Sequence, residues 1–236
     1  MKSILHKAES RGHADHGWLN AWHSFSFAGY HDPSRVHFGV LRVLNDDTIA
    51  GGMGFGTHPH DNMEIITIPL AGQLEHRDSM GNSGIISKGE VQVMSAGTGI
   101  QHSEKNKNPD EPLKLLQIWL FPDKRNVEPR YDQKAFDLNA AKNNLLTIVS
   151  PIGSTEGLNI HQHAWFSLGK LVKDFTTTYK LYDKENGVYA FLIDGSVTIN
   201  GEKLNRRDAA GISEADALEI KAESDAELLL MEIPMD

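Results

Sequence analysis

Two short pairs of residues in the first half of the chain have the types and spacing of metal ligands. His58 and His60 are separated by one residue. His102 and Glu104 have the same spacing. Because alternate residues of a β-strand point to the same face, each pair can aim two donor atoms into one cavity. Three imidazoles and one carboxylate suit a divalent first-row metal and leave room for a substrate or for oxygen.

The elements that must position these pairs are predicted to be short β-strands. Between residues 51 and 121 the sequence alternates between apolar runs and turn signals, such as those at residues 71–73 and 78–83. The alternating glycines of residues 51–56 indicate bulges or the close approach of another backbone. Strands this short and this evenly punctuated are typical of a sandwich or barrel, not of an α/β sheet.

Two further local expectations concern a turn and a helix. Residues 38–45 are predicted to form a mostly buried strand that ends in the turn signal Asn45-Asp46-Asp47. The polar segment 122–151 contains the one expected short helix, around residues 138–146. The same segment is the best candidate for a domain boundary.

The second half of the chain repeats the strand pattern of the first without its histidines. The first copy has His58, His60 and Glu64 before its strand. At the corresponding positions the second copy has Tyr179, Tyr182 and Asp183. The repeat predicts two tandem antiparallel β-barrels of the jelly-roll type, with a few short helices. We expect an N-terminal domain of residues 1–125 that carries the metal and a C-terminal domain of residues 126–236 that lacks one.

Composition limits the possible classes of function. The chain has 236 residues, 39% of them hydrophobic, which is ordinary for a globular protein. It contains no cysteine, and this excludes disulfides, thiolate catalysis and sulfur-rich metal sites. A net charge of −9 disfavours direct binding to nucleic acid. Since no run of 18 apolar residues and no secretion signal is present, we expect a cytoplasmic protein that neither spans nor binds a membrane.

At these residues the chain resembles the pirin family within the cupin superfamily. The matching stretches are residues 18–30, HPHDNMEIITIPLAGQLEHRDSMGN at 58–82, and GEVQVMSAGTGIQHSEKN at 89–106. The first general cupin motif is seen here as Gly52, His58, His60 and Glu64. Two departures from the general cupin pattern, Ser95 in place of a proline and a longer gap before His102, are shared by pirins and therefore favour this family.

The resemblance implies a bicupin fold with a single metal ion in the N-terminal barrel. Iron(II) is the expected ion, and manganese, nickel, copper, cobalt and zinc are alternatives because this donor set accepts each of them. Carried over residue by residue, the ligands would be His58, His60, His102 and Glu104. A second His-x-His, formed by His161 and His163, has no carboxylate or histidine at a useful distance after it, so we expect it to be structural.

Glu64 and Glu104 are the two candidate catalytic carboxylates. Both are predicted to face inward, and the family resemblance favours Glu104 as the fourth ligand. Glu64 would then accept a hydrogen bond that orients a histidine or a bound water. The carboxylate of Glu104, or that of Glu64 if Glu64 is not a ligand, could take a proton from the substrate.

The resemblance leaves the activity open between three classes. The first is a quercetin 2,3-dioxygenase that takes a small aromatic, flavonol-like substrate and O2. The second is a metal-bearing, redox-sensitive regulatory protein that binds a protein partner without turnover. The third is a cupin isomerase or metabolite-binding module, because barrel cavities accept many ligands.

Overall fold

A computed structural model describes residues 1–236, and its secondary structure is almost entirely β-strand, which confirms the predicted all-β class. The strands in chain order are β1 (Lys2–His6), β2 (Gly12–Asp15), β3 (Leu19–His23), β4 (Leu41–Ile49), β5 (Gly54–His60), β6 (Glu64–Ala71), β7 (Gln73–Asp78), β8 (Ser83–Ser87), β9 (Glu90–Ser95), β10 (Ile100–Asn106), β11 (Leu113–Leu120), β12 (Arg130–Ala135), β13 (Leu145–Pro151), β14 (Leu158–Ile160), β15 (Trp165–Leu171), β16 (Thr176–Lys180), β17 (Gly187–Asp194), β18 (Ser196–Ile199), β19 (Glu202–Asn205), β20 (Ala209–Ser213), β21 (Ala217–Ala222) and β22 (Ala226–Ile233). The one helical element is a 3-10 turn at Ala8–Ser10. No helix has the length and apolar character needed to cross a bilayer.

The strands form four sheets, two in each half of the molecule. The N-terminal large sheet has the order β12-β9-β6-β11-β4-β3-β2, and the N-terminal small sheet has the order β5-β10-β7-β8. The C-terminal large sheet has the order β1-β20-β17-β22-β15-β13-β14, and the C-terminal small sheet has the order β16-β21-β18-β19. Every pair of strands is antiparallel except β13 with β14. Each large sheet packs against its small sheet, and this confirms the bicupin architecture.

The largest hydrophobic core lies between the two large sheets. This cluster has 25 buried residues from both halves, among them Leu44, Phe166 and Tyr189. Fully burying one such side chain contributes about 1.5–3 kcal/mol relative to leaving it exposed. The two barrels therefore share their main core and are joined face to face.

The interiors of the two barrels differ in how completely side chains fill them. A cluster of 16 buried residues fills the C-terminal barrel. The N-terminal barrel has two smaller interior clusters, of 7 and 4 buried residues, and a cavity beside them. The sequence repeat has thus produced one packed barrel and one that is open to a ligand.

The two halves exchange one strand each. The first strand, β1, pairs with β20, with Lys2 opposite Ser213. Conversely, β12 pairs with β9, with Arg130 opposite Ser95. The domain division between residues 125 and 126 stays a prediction. Each of these two strands pairs with a strand on the other side of that division.

The helix expected around residues 138–146 is wrong. That segment forms turns, and β13 begins at Leu145. The Asp137 carboxylate accepts a hydrogen bond from the backbone N–H of Asn139, and Asn143 adopts a φ of 50°. Short polar side chains that bond to nearby backbone groups, or that tolerate the left-handed region, compete with helix formation.

The turn expected at Asn45-Asp46-Asp47 is also wrong, because β4 continues through these residues to Ile49. Asn45 and Asp47 point into the N-terminal barrel, where they line the cavity. Asp46 points to the other face, where its Oδ2 lies 3.2 Å from Arg11 Nη1 and 2.9 Å from Arg207 Nε. Polar residues can remain in this central strand because each face gives them polar surroundings.

Candidate metal centre

Three histidines converge inside the N-terminal barrel from the N-terminal small sheet. In the pairing of β5 with β10, His58 lies opposite His102. The ring centroids of His102 lie 4.4 Å from His58 and 4.9 Å from His60. One nitrogen from each of the three rings lies within 4.8 Å of the others, which is close enough for a single ion. Sequence spacing predicted this convergence.

A bulge in β5 aims Phe55 and His58 into the cavity. His102 pairs with His58 and Glu104 pairs with Phe55, so β5 has one extra residue between these two positions. The extra residue allows Phe55 and His58 to face inward together although they are three residues apart. Gly54 lies just before the bulge, where a Cβ atom would lie 2.2 Å from the backbone oxygen of Glu104.

Replacing Gly54 with alanine is expected to force β5 away from β10. Overpacking of this kind costs roughly 1–3 kcal/mol of stability. Since His58 and His102 lie on these two strands, the separation should also weaken metal retention. Thermal unfolding and metal content of the purified variant measure both effects. Gly56→Ala is the matched control because a Cβ atom at Gly56 meets nothing within 4 Å; equal losses in both variants would contradict the close-approach argument.

The hydrogen bonds of the histidines leave nitrogen lone pairs for a metal. His58 donates from Nδ1 to the backbone oxygen of Gly56 at 2.8 Å, so its Nε2 carries the lone pair. Both ring nitrogens of His102 are buried without any hydrogen-bond partner. Burial, followed by the neighbouring histidines, lowers the pKa of His102 far below its usual value. Burial, followed by His58, lowers the pKa of His60 to about 4.

These observations fit a bound divalent ion. A neutral imidazole buried without partners costs free energy, about 1–3 kcal/mol for each unsatisfied polar group. Native proteins pair nearly all such groups, and metal coordination is one way of doing so. The neutral, convergent imidazoles therefore match the donor set that a mononuclear first-row metal requires.

Glu104 lies in the same cavity as His58, and other side chains hold its carboxylate. Gln117 donates from Nε2 to both carboxylate oxygens, at 3.2 and 3.0 Å. Thr67 donates from Oγ1 to Gln117 Oε1 at 2.8 Å, which fixes the orientation of the amide. Burial raises the pKa of Glu104, and the hydrogen bond from Gln117 opposes that rise. Gln117 was not predicted from the sequence, although an amide between apolar neighbours in β11 is a signal for it.

Replacing Gln117 with leucine is expected to weaken metal binding while preserving the fold. The family resemblance favours Glu104 as the fourth ligand, and loss of a partner that orients a ligand typically costs 10–100-fold in metal affinity. Thr67→Val should give a smaller effect of the same sign, because it removes only the group that orients Gln117. Titration of the metal-free proteins with a divalent ion measures both affinities. An unchanged affinity in Gln117→Leu would show that the orientation of Glu104 is unimportant.

Glu64 does not lie with the three histidines, and this corrects the prediction that it faces the cavity. Its Oε2 accepts hydrogen bonds from Ser95 Oγ at 2.7 Å and from the backbone N–H of His161 at 3.1 Å. Its side chain thus points toward the C-terminal barrel, and burial raises its pKa to about 7. Since Glu64 lies on the outer face of β6, alternation along the strand directs Ile65 and Thr67 inward.

His76 is a fourth buried imidazole close to the site. Its ring centroid lies 5.4 Å from that of His102. Its Nε2 donates to Asp78 Oδ2 at 3.2 Å, and Gln92 donates to its Nδ1 at 3.1 Å. Since both nitrogens are engaged, His76 packs beside the histidine cluster and leaves no lone pair for it.

The cavity beside the cluster has a volume of about 500 Å³. Its apolar lining is mostly aromatic and includes Trp18, Phe27, Phe55 and Trp119. Its polar lining comes from residues of both sheets: His23, Asn45, Asp47, Thr57, His58, Glu104 and Gln117. Cavities of this size and character typically hold a drug-sized molecule oriented by a few polar groups.

Comparison with protein families gives matches over both halves of the chain. Residues 5–120 match the family described as Pirin. Residues 147–233 match the family described as Quercetinase C-terminal cupin domain.

Individual relatives match over almost the whole chain. The chain is 46% identical over 230 residues to the quercetin 2,3-dioxygenase of Escherichia coli (strain K12), with 98% of each chain covered. It is 42% identical to a pirin-like protein of Caulobacter vibrioides, covering 94% of this chain and 95% of the relative. The crystal structure of the E. coli bacterial pirin YhhW in complex with nickel(II) matches with a TM-score of 0.94 at 43% identity, covering 100% of both chains.

Proposed function

Because this chain belongs to the pirin family, we propose that it is a metal-dependent dioxygenase that opens the central ring of quercetin or a related flavonol. The observation that carries the proposal is the cluster of His58, His60 and His102 beside a cavity whose apolar lining is mostly aromatic. A relative of high identity carries the name quercetin 2,3-dioxygenase, and this supports a flavonol substrate with O2 as co-substrate.

We propose that one ion is held by His58, His60, His102 and Glu104, with iron(II) as the native metal. The bound metal would supply positive charge that lowers the pKa of a substrate hydroxyl and would supply the electronic coupling to oxygen. The nickel(II) complex of a similar pirin supports a divalent ion in this fold. Manganese, copper, cobalt and zinc remain alternatives on the same donor set.

The residues of the chain would bind, orient and deprotonate the flavonol. Trp18, Phe55 and Trp119 line the cavity and would pack against the flat rings and exclude water. Glu104 would accept the proton of the hydroxyl on the central ring at a carboxylate oxygen. Gln117 would keep that oxygen in place during the transfer. In the overall reaction both atoms of O2 enter the ring-opened ester, and one carbon leaves as carbon monoxide.

We propose that the metal binds in the N-terminal barrel alone. In the C-terminal barrel, Tyr179 occupies a position that corresponds to the first histidine pair, and its hydroxyl donates to Glu232 Oε2 at 2.8 Å. The remaining interior of that barrel is filled by apolar side chains. We propose that it contributes the shared core and no chemistry.

Anaerobic reconstitution tests the proposed function. Untagged metal-free protein is loaded separately with iron(II), manganese, nickel, copper, cobalt and zinc, mixed with quercetin and then exposed to air. We expect loss of flavonol absorbance with release of one carbon monoxide per O2 consumed, for iron(II) at least. Absence of carbon monoxide with every metal would refute the proposal. Retained metal without turnover would favour a regulatory role toward a protein partner instead.

A further inference from the structure

Asp47 is a buried carboxyl group in the cavity that neither the metal nor the fold explains. It lies on β4 of the N-terminal large sheet, whereas the three histidines lie on the N-terminal small sheet. Its relative exposure is 5%, and it lines the cavity. Its Oδ1 atom is buried without a hydrogen-bond partner.

The neighbouring Asp46 differs from Asp47 in that its carboxylate has charged partners. Asp46 points to the opposite face of the sheet and is paired with Arg11 and Arg207. An unpaired polar group in a low-dielectric interior costs free energy, and such groups in native proteins call for a missing partner. The cavity is the space in which a partner for Asp47 can lie.

Two other polar side chains line the same part of the N-terminal large sheet. His23 lies opposite Asn45 in the pairing of β3 with β4, and Ala21 lies opposite Asp47. His23 donates from Nδ1 to Asn45 Oδ1 at 2.9 Å. Burial lowers the pKa of His23, and the bond with Asn45 opposes that fall. The neutral ring therefore presents Nε2 as an acceptor, so the wall offers polar groups facing a polar ligand atom.

We propose that Asp47 binds a phenolic hydroxyl on an outer ring of the flavonol and so selects hydroxylated substrates. This inference rests on the proposed function and extends it from the reacting ring to substrate recognition. A phenolic hydroxyl can donate to an ionised carboxylate or accept from a protonated carboxyl, so the contact forms in either state. Burial, followed by the carboxyls of Asp46 and Glu104, raises the pKa of Asp47 to about 8, which favours the second arrangement at neutral pH.

The expected loss of flavonol affinity follows from leaving the buried carboxyl group of Asp47 without its partner. A ligand that lacks the hydroxyl leaves Asp47 unpaired, at a cost corresponding to roughly a 5- to 100-fold loss of affinity. The wild-type protein should therefore bind quercetin, which carries hydroxyls on both outer rings, more tightly than 3-hydroxyflavone, which carries none; galangin carries hydroxyls on the fused outer ring alone. A comparison of quercetin with galangin identifies which outer ring reaches Asp47.

Equilibrium binding under anaerobic conditions tests the inference without turnover. Quenching of tryptophan fluorescence reports binding, since Trp18 and Trp119 line the cavity. In metal-loaded Asp47→Leu the affinity for hydroxylated flavonols should fall until all three ligands bind within about twofold of one another, whereas Asp47→Asn should keep most of the discrimination. Asp47→Ala replaces the leucine variant if that variant does not fold. Thr48→Val is the control, because Thr48 is the next residue of β4 and points away from the cavity.

Each result decides the inference. Discrimination that is lost in Asp47→Leu and retained in Asp47→Asn and Thr48→Val supports it. Equal affinities in the wild type, or discrimination unchanged in Asp47→Leu, would overturn it while quercetin turnover and the proposed function stand. Failure of the wild type to bind any flavonol, together with no turnover, would overturn both.

Discussion

Replacing His102 with leucine is expected to change the stability of the metal-free and metal-loaded proteins in opposite directions. In the metal-free protein, the variant removes two buried nitrogens that have no partner, so its melting temperature should equal or exceed that of the wild type. In the presence of metal, the wild type gains about 2.7 kcal/mol at an ion concentration 100 times the Kd, and the variant loses this gain. Under the proposed function, turnover of quercetin should also fall, and by more than the roughly 10–100-fold that follows from loss of a supporting residue.

Differential scanning calorimetry with and without metal, together with metal content, measures both effects. His163→Leu is the matched control, because His163 also belongs to a His-x-His sequence and its side chain is 73% exposed. It should change neither stability nor metal content. A His102→Leu protein that is equally destabilised with and without metal would indicate that His102 is a packing residue.

Replacing Asp46 with alanine is expected to cause a large loss of stability. The carboxylate is shared by Arg11 and Arg207, whose side chains are only 6% and 12% exposed. Removing one member of a buried ionic group leaves the opposite charges uncompensated, at a cost of roughly 3–5 kcal/mol. Both guanidinium groups also lie over the ring of Phe191, so the unpaired charges cannot move into water without disturbing the shared core.

Denaturant unfolding of Asp46→Ala at neutral pH measures this loss. Glu214→Gln provides the comparison, because Glu214 pairs with Lys2 at 2.6 Å while both side chains are mostly exposed. Screened pairs of this kind contribute little, and no measurable change is expected. A loss of similar size in both variants would mean that the buried position of Asp46 has no special role.

The histidine cluster could be predicted from the sequence because the spacing that reveals it lies within short segments of the chain. Two residues of a strand that are separated by one other residue lie on the same face. The shared face of His58 and His60 could therefore be predicted without knowing the fold. The fold class follows in the same way from strand length and punctuation. The family resemblance added His102 and Glu104 as their expected partners, and the structure brings the three histidines together.

The wrong predictions have a common cause, because the limits of a strand and the face that each of its residues occupies depend on pairing with distant strands. Asn45, Asp46 and Asp47 have the composition of a turn, and only pairing with β3 and β11 shows that they continue a strand. Glu64 was predicted to face inward, but its carboxylate accepts hydrogen bonds from Ser95 and from the backbone of His161, a partner that is distant in sequence. Gln117 and Asp47 come to the cavity through non-local pairing, so spacing along the chain could not connect them to the histidines.

The exchange of strands between the two halves has a consequence for biosynthesis. The partner of β1 is β20, so the first strand emerges from the ribosome more than 200 residues before its neighbour. At about 5–20 residues per second this is a delay of roughly 10–40 s during which that strand has no sheet to join. The N-terminal barrel must likewise wait for β12 to cover the edge of β9. The edges of both large sheets are therefore protected against aggregation only after the C-terminal large sheet has been synthesised and β1 has joined it.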